Sequence, residues 1–172
     1  LLTLLAGMVI AGLGSVLPAR AADGEVILYR VNSGGPEVPA TDGGPDWEQD
    51  SSSALWGNPS PYFTGFSHYS YVQSYNDATG NAPPDVFKWY RETKESENRF
   101  ITYEFPVTPG KEYTINLYFT PHHDWSRNFR VQVDGQYPGD FAGITFPARA
   151  PAQMRTATVT EDGDGILSFN WV

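Results

Sequence analysis

The sequence contains no cysteine. Disulfide-stapled miniproteins, Cys-ligated zinc or iron–sulfur centres and thiol nucleophiles are thereby excluded. Basic residues are scarce too: 11 Lys and Arg stand against 20 Asp and Glu, a net charge of −9 over 172 residues. A surface of that sign repels a phosphate backbone, so a nucleic-acid partner is not expected. No segment carries an apolar stripe at helical spacing over three turns, and there is no internal repeat or low-complexity tract. What the chain has instead is turns and rings. It holds 17 Gly and 14 Pro, and its aromatics are five Trp, ten Tyr and ten Phe. With 40% hydrophobic residues it has the apolar material for one packed domain, and disorder is excluded.

Residues 1–19 are uncharged and rich in Leu, Val, Ile, Ala and Gly, with Pro18 near the end and Ala19-Arg20-Ala21 at the junction. An apolar run followed by a small-x-small site reads as a secretory leader, here opening on Leu rather than on a basic start. The competing reading is a membrane anchor; Pro18 and the small residues at the cut favour cleavage. Residues 1–21 are therefore expected to lie outside the fold, and residues 22–172 to form the domain, with a cut at the C-terminal end left open. Export without cysteine points to a secreted or cell-envelope protein of bacterial type, with no membrane insertion after cleavage.

Downstream, the pattern is strand and turn. Residues 25–32 form a short β-rich run closed by Ser33-Gly34-Gly35-Pro36. A long Gly/Pro/Ser-rich passage follows to Pro84, with Tyr69-Ser70-Tyr71-Val72 as one short strand inside it. Ile101, Tyr103, Phe105 and Val107 alternate with polar residues or proline, as do Tyr113, Ile115, Leu117 and Phe119. Between them, Thr108-Pro109-Gly110-Lys111 suits a type II turn. Phe129, Val131 and Val133 make another strand, closed by Asp134-Gly135. Residues 155–161 and 166–172 read as a final hairpin around Glu161-Asp162-Gly163-Asp164-Gly165, with Leu167, Phe169 and Trp171 inward. The fold class is all-β, and one-sided alternation implies a β-sandwich of two sheets.

Chemistry is sparse. His122-His123-Asp124-Trp125 offers metal-ligand types, but neighbours on an extended chain point to opposite faces, and only His68 remains as a third imidazole. Asp162-Gly163-Asp164-Gly165 lacks calcium-loop register, because Ile166 stands where a ligand is required. No metal and no cofactor are expected. No Gly-x-Ser-x-Gly elbow occurs, and among 20 acidic residues no carboxylate pair is singled out, so an enzyme is not expected. What remains is the aromatic excess. Tyr62, Tyr69, Tyr71, Tyr75, Trp89, Tyr90 and Trp125 lie in polar company at predicted loops or strand ends. Rings pack on the C–H faces of a pyranose while carboxylates, amides and imidazoles bond its hydroxyls. The candidate ligand-binding residues are Tyr69, Tyr71, Trp89, Tyr90, His123, Asp124 and Trp125, for an oligo- or polysaccharide. The same patch would suit a polypeptide.

Several stretches run in the order of a known family. They are Tyr29-Arg30-Val31-Asn32-Ser33-Gly34-Gly35-Pro36, Asp46-Trp47-Glu48-Gln49-Asp50, Asn58-Pro59-Ser60-Pro61-Tyr62 and Val86-Phe87-Lys88-Trp89-Tyr90-Arg91. Further on come Tyr103-Glu104-Phe105-Pro106-Val107, Pro109-Gly110-Lys111-Glu112-Tyr113, Leu117-Tyr118-Phe119 and Asn128-Phe129-Arg130-Val131-Gln132-Val133-Asp134-Gly135. Together they resemble the malectin family of carbohydrate-binding modules in its bacterial secreted form, across residues 26–171. The resemblance implies a jelly-roll, galactose-binding-like sandwich whose loop aromatics and an Asp hold sugar at one end. The Tyr of the family's first binding loop falls at Tyr69 or Tyr71. A second Tyr is replaced by Glu92, beside Trp89 and Tyr90, and a Tyr-Phe pair by His123 and Asp124, beside Trp125. The family's Asp has no counterpart up to Val172. The resemblance thus implies a non-catalytic module, part of a longer chain with neighbouring domains, whose sugar is open. An adhesion module for a protein ligand and an accessory domain of a glycoside hydrolase are the alternatives.

Overall fold

The computed structural model describes residues 2–5, 7–12, 26–50, 60–65, 68–71, 79–94, 101–120 and 126–172. The described residues are all-β: they form thirteen strands and only short 3-10 turns such as Pro84–Lys88 and Gly139–Phe141. No helix among them is long and apolar enough to cross a membrane.

The strands are β1 (Leu2–Leu5), β2 (Gly7–Gly12), β3 (Val26–Asn32), β4 (Glu48–Gln49), β5 (His68–Tyr71), β6 (Trp89–Lys94), β7 (Thr102–Pro106), β8 (Glu112–Phe119), β9 (Arg127–Phe129), β10 (Val131–Val133), β11 (Ile144–Phe146), β12 (Gln153–Thr160) and β13 (Ile166–Trp171). The largest sheet has the order β12-β8-β2-β3-β4; a second runs β10-β13-β7, a third β1-β6-β5, and β9 pairs with β11. All neighbours are antiparallel except β3 and β4.

The alternating residues do what their period demands. Tyr103 and Phe105 of β7, Tyr113, Ile115, Leu117 and Phe119 of β8, and Leu167, Phe169 and Trp171 of β13 are buried in one cluster. The largest sheet and the β10-β13-β7 sheet thus contribute to the same core. A smaller cluster lies on the opposite side of the largest sheet, where Val9, Ile27 and Tyr118 meet Trp47, Val86 and Phe87. Burial on both sides explains why β2 reads as a continuous apolar run rather than an alternating one. Met8 and Ile10 belong to the main core and Val9 to the smaller one. Read from sequence as part of a removable leader, residues 7–12 are a central strand of the intact chain.

Turn chemistry agrees with the torsions. Gly110 has φ 65°, as the third residue of a type II turn requires, and Asp134 and Gly135 are both left-handed at φ 48° and 72°. Two expectations need correction. Residues 129–133 are not one strand: Arg130 separates β9, paired with β11, from β10, paired with β13. Nor do the last two strands form a hairpin. β12 pairs with β8 and β13 with β10 and β7, so residues 161–165 cross between sheets. Each of these strands has one apolar side, and placing them in different sheets lets both sides face the shared core.

The Glu161 side chain holds this crossing. Its Oε2 accepts from the amides of Gly110 (2.5 Å) and Gly163 (3.0 Å), its Oε1 from those of Gly165 (2.5 Å) and Ile166 (3.3 Å). Burial alone would raise the carboxyl's pKa, but the amides of Gly110, Gly165 and Gly163 outweigh it and bring the value down to about 2. A carboxyl depressed in the folded state stabilises it at pH values above the ordinary carboxylate range and loses that contribution as pH falls towards 2. Urea melts of the parent and of Glu161→Gln are therefore expected to differ most above pH 5 and to converge between pH 4.5 and 2. A gap independent of pH would show that the ionised carboxylate is not what the amides bind.

Candidate functional site

Of the ring residues proposed from sequence, Tyr69 and Tyr71 fall on β5, and Trp89 and Tyr90 on β6. The two strands are antiparallel neighbours, with Tyr71 opposite Trp89, Ser70 opposite Tyr90 and Tyr69 opposite Arg91. Residues directly opposite in an antiparallel pair have Cβ atoms about 5 Å apart. Four of the seven candidates are thus collected on two neighbouring strands of the β1-β6-β5 sheet. Trp89 is half-buried at the point where the Pro84–Lys88 turn becomes β6. Tyr90 is 4% exposed and offers no ring face to a ligand. His123, Asp124 and Trp125 lie outside the described residues, as does Tyr75.

Behind Trp89 and Tyr90, β6 delivers Arg91 into a buried polar network that the sequence did not suggest as a unit. Arg91 is 4% exposed and Asp50 is fully buried; Arg91 Nε donates to Asp50 Oδ2, and Nη2 donates to the Asp50 carbonyl at 2.8 Å. Tyr103 Oη donates to Asp50 Oδ2 at 2.6 Å and lies 3.1 Å from Ser33 Oγ. The backbone amides of Gly34 (2.8 Å) and Ser60 (3.0 Å) also donate to the same carboxylate. The Arg91 guanidinium sits 3.8 Å from the centre of the Phe63 ring, a cation–π contact in a desolvated place. Burial pushes the Tyr103 hydroxyl far above its ordinary range, and the Asp50 charge adds to this, so Tyr103 stays a donor. With its partners satisfied and no access to solvent, this network positions strands rather than reactants. It ties the turn after β3, the loop around Asp50, β6 and β7 into one joint.

The Ser33-Gly34-Gly35-Pro36 turn is fitted to that joint. Gly34 adopts φ 76°, and a Cβ on Gly35 would fall 2.3 Å from Asn32 Nδ2, which donates to the Pro36 carbonyl at 2.7 Å. The motif signal was therefore present in the sequence, but as structure rather than as a ligand loop.

Other candidates resolve similarly. Tyr62, one of the rings in polar company, packs against Phe105 (4.8 Å between centres) and Tyr29 (5.0 Å) at the edge of the core. Apart from Tyr69 and Tyr71 of β5, every aromatic side chain among the described residues is buried or half-buried. Glu161, Asp162 and Asp164 bring three carboxylates together. Their oxygens already serve the turn, since Asp164 and Ile166 amides are held by Asp162 and Asp164 in addition to the four on Glu161. A shallow groove of about 380 Å³ runs along β9 and β11, lined by Asn128, Arg130, Thr145 and Val172 above Phe129 and Ile144. None of the ring candidates lies among the described residues that line it.

No family model, no curated protein and no solved structure matches this chain.

Proposed function

We propose that the chain is a non-catalytic carbohydrate-binding module of an exported protein, a two-layer sandwich of jelly-roll, galactose-binding-like form similar to the malectin family. The observation that carries the binding reading is the β5–β6 register, which sets Tyr71 opposite Trp89 and Tyr69 next along the same strand. Rings spaced along one ribbon suit successive sugar units, whose C–H faces stack while polar neighbours take the hydroxyls. The sandwich reading is supported by the core shared between the five-stranded and three-stranded sheets. In the proposed site Trp89, Tyr71 and Tyr69 stack, joined by Trp125; His123 and Asp124 bond hydroxyls. Tyr90 backs the strand from inside.

Glycan-array binding of the full chain, followed by titration of the best polysaccharide, tests this. Trp89→Ala, Tyr71→Ala and Trp125→Ala are each expected to weaken binding by about 2- to 12-fold, the equivalent of about 0.5–1.5 kcal/mol per ring contact. Silence on the array together with capture of a polypeptide ligand would replace this reading with the adhesion module. Turnover of chromogenic glycosides, abolished by one Asp or Glu change, would replace it with a hydrolase.

A further inference from the structure

β2 occupies a slot. On one side Met8 pairs with Val31 and Ile10 with Tyr29 of β3; on the other, Met8 pairs with Leu117 and Ile10 with Ile115 of β8. Met8 is 1% exposed, Val9 5% and Ile10 0%, so the insert is buried on both sides. At its head the fit is close: a Cβ on Gly7 would lie 2.8 Å from Val86 Cγ1 and 2.9 Å from the Trp47 ring. Among the described strands, β2 is the hydrogen-bonded neighbour that β3 and β8 share. With β2 gone they would stand about 9–10 Å apart, two strand spacings, each with a row of backbone donors and acceptors turned to an apolar gap.

The same residues are the apolar part of the segment read as a leader ending at Ala19-Arg20-Ala21. A strand that holds the sheet together and is marked for removal leaves behind an acceptor. We infer that the space between β3 and β8 is a strand-acceptor site, filled in the intact chain by residues 7–12. After processing it takes an extended apolar segment of a second polypeptide, antiparallel to both neighbours. The occupant is specified by what now sits there: glycine at the first position, where Trp47 and Val86 leave no room, then side chains alternating between the two cores. This is β-augmentation in the middle of a sheet rather than at an edge, with main-chain bonds supplying affinity and the two cores supplying side-chain preference. The inference rests on the exported reading only for the natural removal of residues 1–21; the site itself does not depend on sugar binding.

The test uses the full chain with a specific protease site inserted after Leu17. The purified protein is cut, and a fluorescent synthetic peptide covering residues 5–13 is added. The expected result is that the severed strand stays with the protein through gel filtration and is displaced by the added peptide, which saturates at one copy per chain. A Gly7→Phe version of the peptide is expected to compete roughly tenfold or more weakly, because overpacking has no room to relax between Trp47 and Val86. Loss of the severed strand without uptake of the peptide would mean that β3 and β8 close on each other, and the inference fails. Equal uptake of both peptides would reduce it to nonspecific apolar adhesion, and it fails again. The engineered cut makes these outcomes independent of export, which is read separately from the N-terminal mass of the secreted protein.

Discussion

Replacing Asp50 with alanine is expected to lower the free energy of unfolding by about 3–5 kcal/mol, the usual cost of stripping one partner from a buried ion pair. Three kinds of group lose their acceptor at once: the Arg91 guanidinium, the Tyr103 hydroxyl, and the amides of Gly34 and Ser60. None of them can turn to water, because Arg91 is 4% and Ser60 5% exposed, Tyr103 is fully buried and Gly34 is buried. Domains of this size have only about 5–15 kcal/mol in total, so Asp50→Ala should sit near its unfolding transition in dilute urea. The direction of a second change separates a charge effect from a packing effect. Adding Arg91→Met to Asp50→Ala removes the orphaned cation and leaves an apolar stem on the Phe63 ring, so the double variant is expected to recover part of the loss. If it is as damaged as the sum of its parts, the hydrogen bonds to the loop matter and the charge does not. A surface comparison calibrates the scale: Lys88 and Asp85 pair at 2.5 Å in an i,i+3 turn, with Asp85 62% exposed. Asp85→Ala is expected to change stability by less than about 1 kcal/mol.

Alternation with period two was enough to find β7, β8 and β13 and to place their buried residues, because each of these strands has apolar packing on its core side; β3 was legible only as a β-rich run, since it is packed on both sides. Pairing was not legible. Residues 155–172 look like a hairpin because hairpins and sheet-to-sheet crossings use the same Asp/Gly turn vocabulary; the Glu161 carboxylate, gathering four amides, distinguishes them only in three dimensions. The aromatic argument misjudged capacity. It assumed one core, whereas the largest sheet is covered on both sides, and Trp47, Phe87 and Tyr118 fill the second layer. Tyr62 is absorbed by edge packing on Tyr29 and Phe105, and Tyr90 by burial within its strand segment. At the candidate site, the sequence picked residues on two adjacent strands without knowing that they pair. It missed Asp50 and Arg91, 41 positions apart, because nothing in composition says which of many acids meets which base.

Ile10→Ala should cost the intact chain about 2–5 kcal/mol, as other buried aliphatic truncations do. Ile10 has no exposure and lies between Tyr29 and Ile115, with the main core beneath it. Removing its side chain opens a cavity bordered by strands on either side, and the neighbours cannot collapse into it without breaking two ladders of hydrogen bonds. A leader that merely awaited cleavage would pack against nothing, and its truncation would leave stability unchanged. Ile166 provides the contrast within the same chain: it begins β13 but is 38% exposed, and Ile166→Ala should shift stability by no more than about 0.5 kcal/mol. Chemical denaturation of the uncleaved protein, its intact mass verified, decides between them. Equal, small effects at both positions would place residues 7–12 outside the folded sheet in solution, whereas a several-fold larger effect at Ile10 fixes β2 as the strand through which β3 and β8 belong to one sheet.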